Sequence, residues 1–231
     1  MHAAVITFPG SNREGDVAKA LRQTGARVSP VWHADLVLPE RTDLVVLPGG
    51  FSYGDYLRTG AIAARAAIMD AVRVHATRGG LVLAICNGFQ IACEAGLLPG
   101  VLARNAHLRF VCKRQHLKVG RTDTAFTSAY SAGDAIDVCI AHGEGNYICD
   151  PGTLEQLEGD GLVAFRYCDA AGHVTADANP NGSLNSIAGI YSANLNVLGM
   201  MPHPENLIEH LTGGIDGKGL FESLMGARRA A

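Results

Sequence analysis

Hydrophobic residues in the first hundred positions form short continuous runs separated by mixed polar and apolar segments. The runs Ala3–Phe8, Val28–Trp32, Leu44–Leu47 and Leu81–Ile85 predict four buried strands. Runs without polar alternation are typical of parallel strands that are covered on both faces of a sheet. This half of the chain therefore predicts the core of a layered α/β fold.

The segments between these runs have helical spacing. We expect a capped helix between the Pro9–Asn12 turn and Thr24, a long helix over Ala61–Thr77 and a short helix over Gly88–Ala95. Alternating strands and helices predict an open, doubly wound, flavodoxin-like and mostly parallel sheet.

The second half of the chain changes character, because its apolar segments alternate with polar residues or are rich in β-branched residues. We expect these segments to add C-terminal strands to the sheet and Asn181-Gly182 to form a hairpin turn. The candidate strands are Leu108–Val119, Ala135–Ala141, Leu162–Tyr167 and Ile187–Met200, and a short helix is expected over Gly219–Ala227. No repeat or linker interrupts the chain, so residues 1–231 are interpreted as one domain.

The amino-acid composition limits the classes of binding partner that we expect. Of the 231 residues, 48% are hydrophobic and 18% are charged, with a net charge of −3, which favours a globular chain over a disordered one. Without a basic cluster, we expect neither nucleic acid nor a membrane surface as a partner. The apolar runs are too short to span a bilayer and no export signal is recognisable, so a cytoplasmic location is expected.

Six cysteines are present, and their spacing includes no CxxC pair, so we expect free thiols and no zinc site. Cys86 follows a buried strand and precedes a helix, with small residues on both sides. This pattern predicts a nucleophile elbow, a sharp strand-to-helix turn that exposes a reactive side chain. A buried structural cysteine is the alternative, which is also the interpretation of Cys93 inside the same helix.

A nucleophilic thiol needs a base, and the Met201-Pro202-His203-Pro204-Glu205 segment offers one. In an extended segment, residues two apart point the same way, so Glu205 is expected to orient His203. His142, in a His-Gly-Glu-Gly segment, is the competing base. Gly49-Gly50, after the third strand, predicts backbone N–H donors that could stabilise an oxyanion. No GxGxxG or GxxxxGK[ST] loop occurs, so no nucleotide-binding loop is predicted.

These motifs together resemble the class I, triad-type glutamine amidotransferases. The similarity is closest to the small glutaminase subunits that serve the purine-pathway synthetase converting formylglycinamide ribonucleotide to its amidine. The segments that carry the resemblance are Phe8–Asn12, Pro48–Leu57, Gly60–Ala63, Cys86–Gln90, Arg104–Asn105, His142–Gly145, Asn179–Ser183 and Gly199–Glu205.

The resemblance implies a role for each matching residue. Cys86 attacks the glutamine carboxamide, His203 acts as base and then acid, and Glu205 orients His203. The remaining implied contacts are the Gly50 and Asn87 N–H groups on the oxyanion, and Gln90, His142 and Gly143 around glutamine. The implied reaction forms a γ-glutamyl thioester, releases ammonia and returns glutamate.

The same resemblance implies partners. We expect a large synthetase subunit and a small bridging subunit, with ATP and magnesium bound by the synthetase and no cofactor or metal in this chain. Three alternatives stay open: a catalytically silent binding module, a stand-alone cysteine hydrolase, and a glutaminase that serves another ammonia acceptor. The intact Cys86, His203 and Glu205 argue against the silent module.

Overall fold

The structure is a computed structural model that describes residues 1–227, and within them the chain forms eleven strands and five α-helices. The strands are β1 (His2–Thr7), β2 (Arg27–Trp32), β3 (Leu44–Leu47), β4 (Leu81–Ile85), β5 (Val101–Ala103), β6 (Val111–Val119), β7 (Ala135–His142), β8 (Asn146–Ile148), β9 (Val163–Cys168), β10 (Ile187–Tyr191) and β11 (Val197–Met200). The helices are α1 (Glu14–Gln23), α2 (Ile68–Thr77), α3 (Asn87–Glu94), α4 (Pro151–Gly159) and α5 (Lys218–Ala227).

Nine strands form one sheet in the order β2-β1-β3-β4-β11-β10-β9-β6-β7, and β5 and β8 form a separate pair. The first five strands in this order are parallel, and from β10 onward the pairing is antiparallel. The connections β1–α1–β2 and β3–α2–β4 run in opposite directions along the sheet. Since such crossovers are right-handed, α1 and α2 cover opposite faces. The predicted flavodoxin-like fold with added C-terminal strands is confirmed.

The parallel strands form the core of the molecule. Every residue of β3 is fully buried, as are Val82–Ile85 of β4. Helix α3 packs against β3 and β4, and α1 packs against β1 and β2. In folds of this kind ligands bind beyond the carboxyl ends of the parallel strands, where β3, β4 and β11 all end. No helix within residues 1–227 is long and apolar enough to cross a membrane.

Four sequence predictions are wrong in detail. The candidate strand Ile187–Met200 is two strands, β10 and β11, which pair antiparallel. The helix expected from Ala61 begins only at Ile68, because Ala66 is extended and the Ile68 N–H donates to the His33 carbonyl. Among the described residues no side chain caps helix α1, since Arg13 holds the N-cap position. Asn181-Gly182 forms no hairpin, because Asn181 is buried and donates to the Gly145 carbonyl at 2.7 Å in a loop-to-loop contact.

Candidate active site

The predicted nucleophile elbow is present at the end of β4. Cys86 has φ 52° and ψ −108°, which is a strained conformation for a residue with a side chain. Its N–H donates to the Met200 carbonyl at 2.7 Å, which fixes the turn to the end of β11. A Cβ atom at Gly88 would lie 1.9 Å from the Leu47 carbonyl oxygen, so only glycine lets α3 approach β3 this closely. The backbone therefore holds Cys86 at the carboxyl edge of the sheet.

His203 and Glu205 form a buried pair just after β11. The His203 Nδ1 and Glu205 Oε1 atoms are 2.7 Å apart, and both residues are at most 3% exposed. The expected pairing is present, but the backbone differs from the extended segment that we predicted. Pro204–Asn206 form a 3-10 turn, and the His203 N–H donates to the Cys139 carbonyl of β7 at 2.8 Å. One backbone hydrogen bond and the carboxylate of Glu205 therefore fix the imidazole.

The electrostatics of His203 favour its protonated form. Burial lowers its pKa, but the charges of Glu205 and Cys86 and hydrogen bonds to both outweigh burial and raise the pKa well above its ordinary value. Glu205 occupies Nδ1, so Nε2 is the ring atom available to the Cys86 thiol, whose sulfur also lies 3.8 Å from the Ala141 carbonyl oxygen. The three side chains thus form a connected triad in which His203 can take the proton from Cys86.

His142, the competing base, is held in a different state. Burial and, to a smaller extent, the charge of His203 lower its pKa to about 4. Its Nδ1 is 3.2 Å from the amide oxygen of Asn105. A neutral imidazole without a carboxylate partner is poorly suited to stabilise the proton taken from a thiol, so the geometry favours His203 as the base.

The expected oxyanion donors are close to the triad. A Cβ atom at Gly49 would lie 2.8 Å from His203 Cε1, so the end of β3 passes directly beside the imidazole. No hydrogen bond within residues 1–227 uses the backbone N–H of Gly50 or of Asn87. Gly50 lines the same cavity as Cys86, whereas Asn87 begins α3. Both N–H groups are free to donate, and their role towards an oxyanion stays a prediction.

A cavity of about 190 Å³ lies in front of Cys86. The predicted substrate contacts Gln90, His142 and Gly143 line it. The Gln90 amide is already used, because it donates to the Glu144 carbonyl at 2.6 Å and accepts from Asn87 Nδ2 at 2.9 Å. Gln90 therefore ties α3 to the loop after β7, and its contact with glutamine stays a prediction.

The sequence analysis named Asn105, Asp55 and Glu144 only as members of motif segments. Asn105 is fully buried and donates to the carbonyls of Arg109 and His142. Asp55 and Glu144 line the cavity beside Cys86. All three residues lie in segments that carried the resemblance, which was the available signal. The contacts of Asn105 with His142 and of Glu144 with Thr59 join residues that are distant in sequence and could not be paired without the fold.

Comparison with known proteins places this geometry in a family. Residues 1–216 match the CobB/CobQ-like glutamine amidotransferase domain. The chain belongs to this glutamine amidotransferase family. It is 61% identical over 97% of both chains to the phosphoribosylformylglycinamidine synthase subunit PurQ of Rhodopseudomonas palustris (strain BisB18). It is 57% identical over 97% of this chain and 98% of the other to the subunit of the same name from Rhodospirillum rubrum.

Solved structures agree with this placement. One chain of the structure of PurLQS from Thermotoga maritima superposes with a TM-score of 0.87, at 41% identity and with 98% of both chains covered. The glutaminase domain of Trypanosoma brucei CTPS, with bound acivicin, has a TM-score of 0.63 at 14% identity, covering 100% of this chain and 94% of that one, and shares the fold.

The amidotransferase arrangement can perform acyl transfer with its own side chains. The triad, the glycine turn and the cavity lie at one edge of the sheet, so a thiol, an imidazole and free backbone N–H groups surround one cavity, as acyl transfer requires. Cys93, two turns further along α3, lies outside the cavity, and burial raises the pKa of its thiol. Within residues 1–227, no cluster of His, Cys, Asp or Glu side chains could hold a metal ion.

Proposed function

We propose that this chain is the glutaminase subunit of a phosphoribosylformylglycinamidine synthase. It hydrolyses glutamine to glutamate and supplies ammonia for conversion of formylglycinamide ribonucleotide to formylglycinamidine ribonucleotide in purine biosynthesis. The observation that carries the proposal is the connected Cys86–His203–Glu205 triad beside the cavity. The match of 61% identity over nearly the whole chain supports the choice of acceptor.

We propose a residue for each step of glutamine hydrolysis. The Cys86 sulfur attacks the carboxamide carbon while His203 holds the thiol proton, and the Gly50 and Asn87 N–H groups receive the developing oxyanion. The C–N bond breaks as His203 gives its proton to the leaving ammonia, which leaves a γ-glutamyl thioester. Water then attacks the thioester with His203 as the base, so glutamate leaves and the thiol is restored.

The proposal includes partners. A large synthetase subunit receives the ammonia, a small subunit bridges the assembly, and the synthetase binds the ATP and magnesium that activate the ribonucleotide. The similarity to one chain of PurLQS from Thermotoga maritima supports an assembly of this kind. We propose that the complex works in the cytoplasm, where glutamine and ATP are available.

The test measures glutamate released from glutamine by the purified chain alone and with its synthetase and small subunits, ATP, Mg²⁺ and formylglycinamide ribonucleotide. We expect a strong rise that requires the partners, because closing the site only upon assembly avoids futile hydrolysis of glutamine. Absence of glutamate release in a complex verified to be assembled would contradict the proposal and favour a silent binding module.

A further inference from the structure

One wall of the catalytic cavity holds a carboxylate that the hydrolysis steps do not use. Asp55 lines the cavity together with Cys86, Gln90 and Glu144. Its Oδ1 atom is buried and makes no hydrogen bond within the described part of the chain. A buried carboxylate oxygen without a donor is unfavourable, so the position calls for a ligand that donates hydrogen bonds.

The backbone holds Asp55 in this place at a cost. Tyr53, Gly54 and Asp55 all have positive φ, at 54°, 71° and 57°. For the two residues that carry side chains this conformation is strained. Tyr53 anchors the segment, since its N–H donates to the Pro9 carbonyl at 2.6 Å and its hydroxyl lies 2.7 Å from His33 Nδ1.

Asp55 is also the carboxylate of the cavity that lacks a donor. Its neighbour Glu144 accepts from the Thr59 hydroxyl at 2.8 Å and lies 3.6 Å from the guanidinium of Arg104. Burial raises the pKa of Asp55 to about 6, and the charge of Glu144 contributes to the rise. No lysine or arginine among residues 1–227 lines the cavity. A cationic ligand group would therefore donate the missing hydrogen bond to Asp55 and reduce the repulsion between Asp55 and Glu144.

His142, independently of Asp55, also needs a hydrogen-bond donor from a ligand. Asn105 Nδ2 donates to two carbonyls, so its oxygen must accept from His142 Nδ1. In the neutral imidazole, Nε2 is then an acceptor, and it too is buried without a partner in the described residues. His142 lines the cavity and is 3% exposed. The Asp55 Oδ1 atom and the His142 Nε2 atom are thus both buried acceptors that lack a hydrogen-bond donor.

Given the proposed function, we propose that Asp55 binds the α-ammonium group of glutamine and so determines the choice of amide substrate. With the carboxamide at Cys86, the α-ammonium group donates to Oδ1 of Asp55 in the same cavity. Amides of the same length that lack this group leave the carboxylate unpaired and are therefore rejected.

The test compares glutamine with glutaramate, which keeps the carboxamide and carboxylate of glutamine and lacks the amino group. Glutaminase kcat/KM is measured for both amides in the assembled complex, for wild type, Asp55→Asn and Asp55→Glu. We expect wild type to prefer glutamine by at least about 100-fold and Asp55→Asn to lose most of this preference through a higher KM for glutamine, with glutaramate changed less than about 3-fold. Asp55→Glu keeps the charge and should retain part of the preference.

The matched control is Asp70→Asn, because Asp70 is an exposed carboxylate that pairs with Arg73 on α2. It should leave both kcat/KM values unchanged. Equal losses for both amides in Asp55→Asn, or weaker subunit binding with an unchanged preference, would overturn the inference. If the Asn variant does not fold, the wild-type preference decides, since a ratio near 1 excludes recognition of the ammonium group. Absence of glutamate release by the verified wild-type complex would instead contradict the proposed function.

Discussion

Two buried histidines, one just after β11 and one at the end of β7, have pKa values shifted in opposite directions. His203 is 2% exposed and His142 is 3% exposed, so burial alone does not distinguish them. The pKa of His203 is raised well above its ordinary value, whereas the pKa of His142 is lowered to about 4. The difference lies in what each ring contacts.

His203 contacts two groups that can carry negative charge, the carboxylate of Glu205 and the thiol of Cys86. His142 contacts the neutral amide of Asn105. The charged partners of His203 compensate for desolvation, while the amide cannot. The partner of the ring, rather than its depth in the protein, therefore makes His203 a base and leaves His142 as a neutral residue that lines the cavity.

The largest effect should come from removing the nucleophile that His203 serves. Cys86→Ala should lower glutamine-dependent amidation by at least about 10³-fold, because no other cysteine of the described residues lines the cavity. Amidation with added ammonia by the assembled complex should stay at the wild-type rate. Loss of both activities in a complex shown to assemble would mean that Cys86 has a structural role.

The next largest effect should come from giving His203 an amide partner like that of His142. Glu205→Gln should lower glutaminase kcat roughly 10²- to 10⁴-fold, since the ring loses the carboxylate that orients it and stabilises its positive charge. The pKa of His203 should fall, which a pH profile of single-turnover acylation would report. An unchanged kcat would show that the two histidines differ for another reason.

The neutral histidine should appear in the pH dependence of folding. Its pKa lies below the usual 6.5, so the unfolded chain binds the proton more tightly and stability falls as pH drops from about 7 to 4. The difference between 6.5 and about 4 corresponds to about 3 kcal/mol. His142→Gln should remove this part of the loss, as measured by urea unfolding across that pH range.

The control for this experiment is His173→Gln, which removes an exposed imidazole paired with Asp169. It should leave the acid loss of stability as in wild type. If His142→Gln and His173→Gln behave alike, His142 is not held neutral by burial.

The smallest effect should come from Cys93, which shares α3 with Cys86 and contacts neither histidine. Its sulfur lies 3.7 Å from the Pro99 carbonyl oxygen. Cys93→Ala should lower the free energy of unfolding by about 1 kcal/mol and change glutaminase kcat less than about 2-fold. Calorimetry and the glutamate assay would check both numbers. Loss of acylation in the folded variant would mean that the wrong thiol was chosen.

Strand positions were predictable where burial is complete. The apolar runs at Leu44–Leu47 and Leu81–Ile85 have the same bounds in the structure. A strand that is buried on both faces has no polar positions, so its hydrophobic run begins and ends with the strand. Helix α4 was missed although Asp150 and Pro151 form a recognisable start, because the helix buries mainly Leu157 and its amphipathic pattern is weak.

The triad was predictable because its residues belong to short motifs whose spacing has a structural cause. Cys86 lies at a strand-to-helix turn, and Glu205 follows His203 by two residues. Asn105 and Asp55 were not predictable, since their roles depend on contacts between loops that are distant in sequence. The Asn181-Gly182 error has the same origin, because that turn signal assumes two flanking strands and the fold uses the loop to hold Gly145 instead.

The most direct test of the account is to trap the acyl intermediate and locate it. The assembled complex is mixed with glutamine, ATP and formylglycinamide ribonucleotide, quenched in acid within one turnover, digested and analysed by mass spectrometry. We predict a γ-glutamyl thioester on the sulfur of Cys86, detected in the peptide that contains this residue, and no thioester on Cys93. A thioester on Cys93, or glutamate released at full rate by Cys86→Ala, would contradict it.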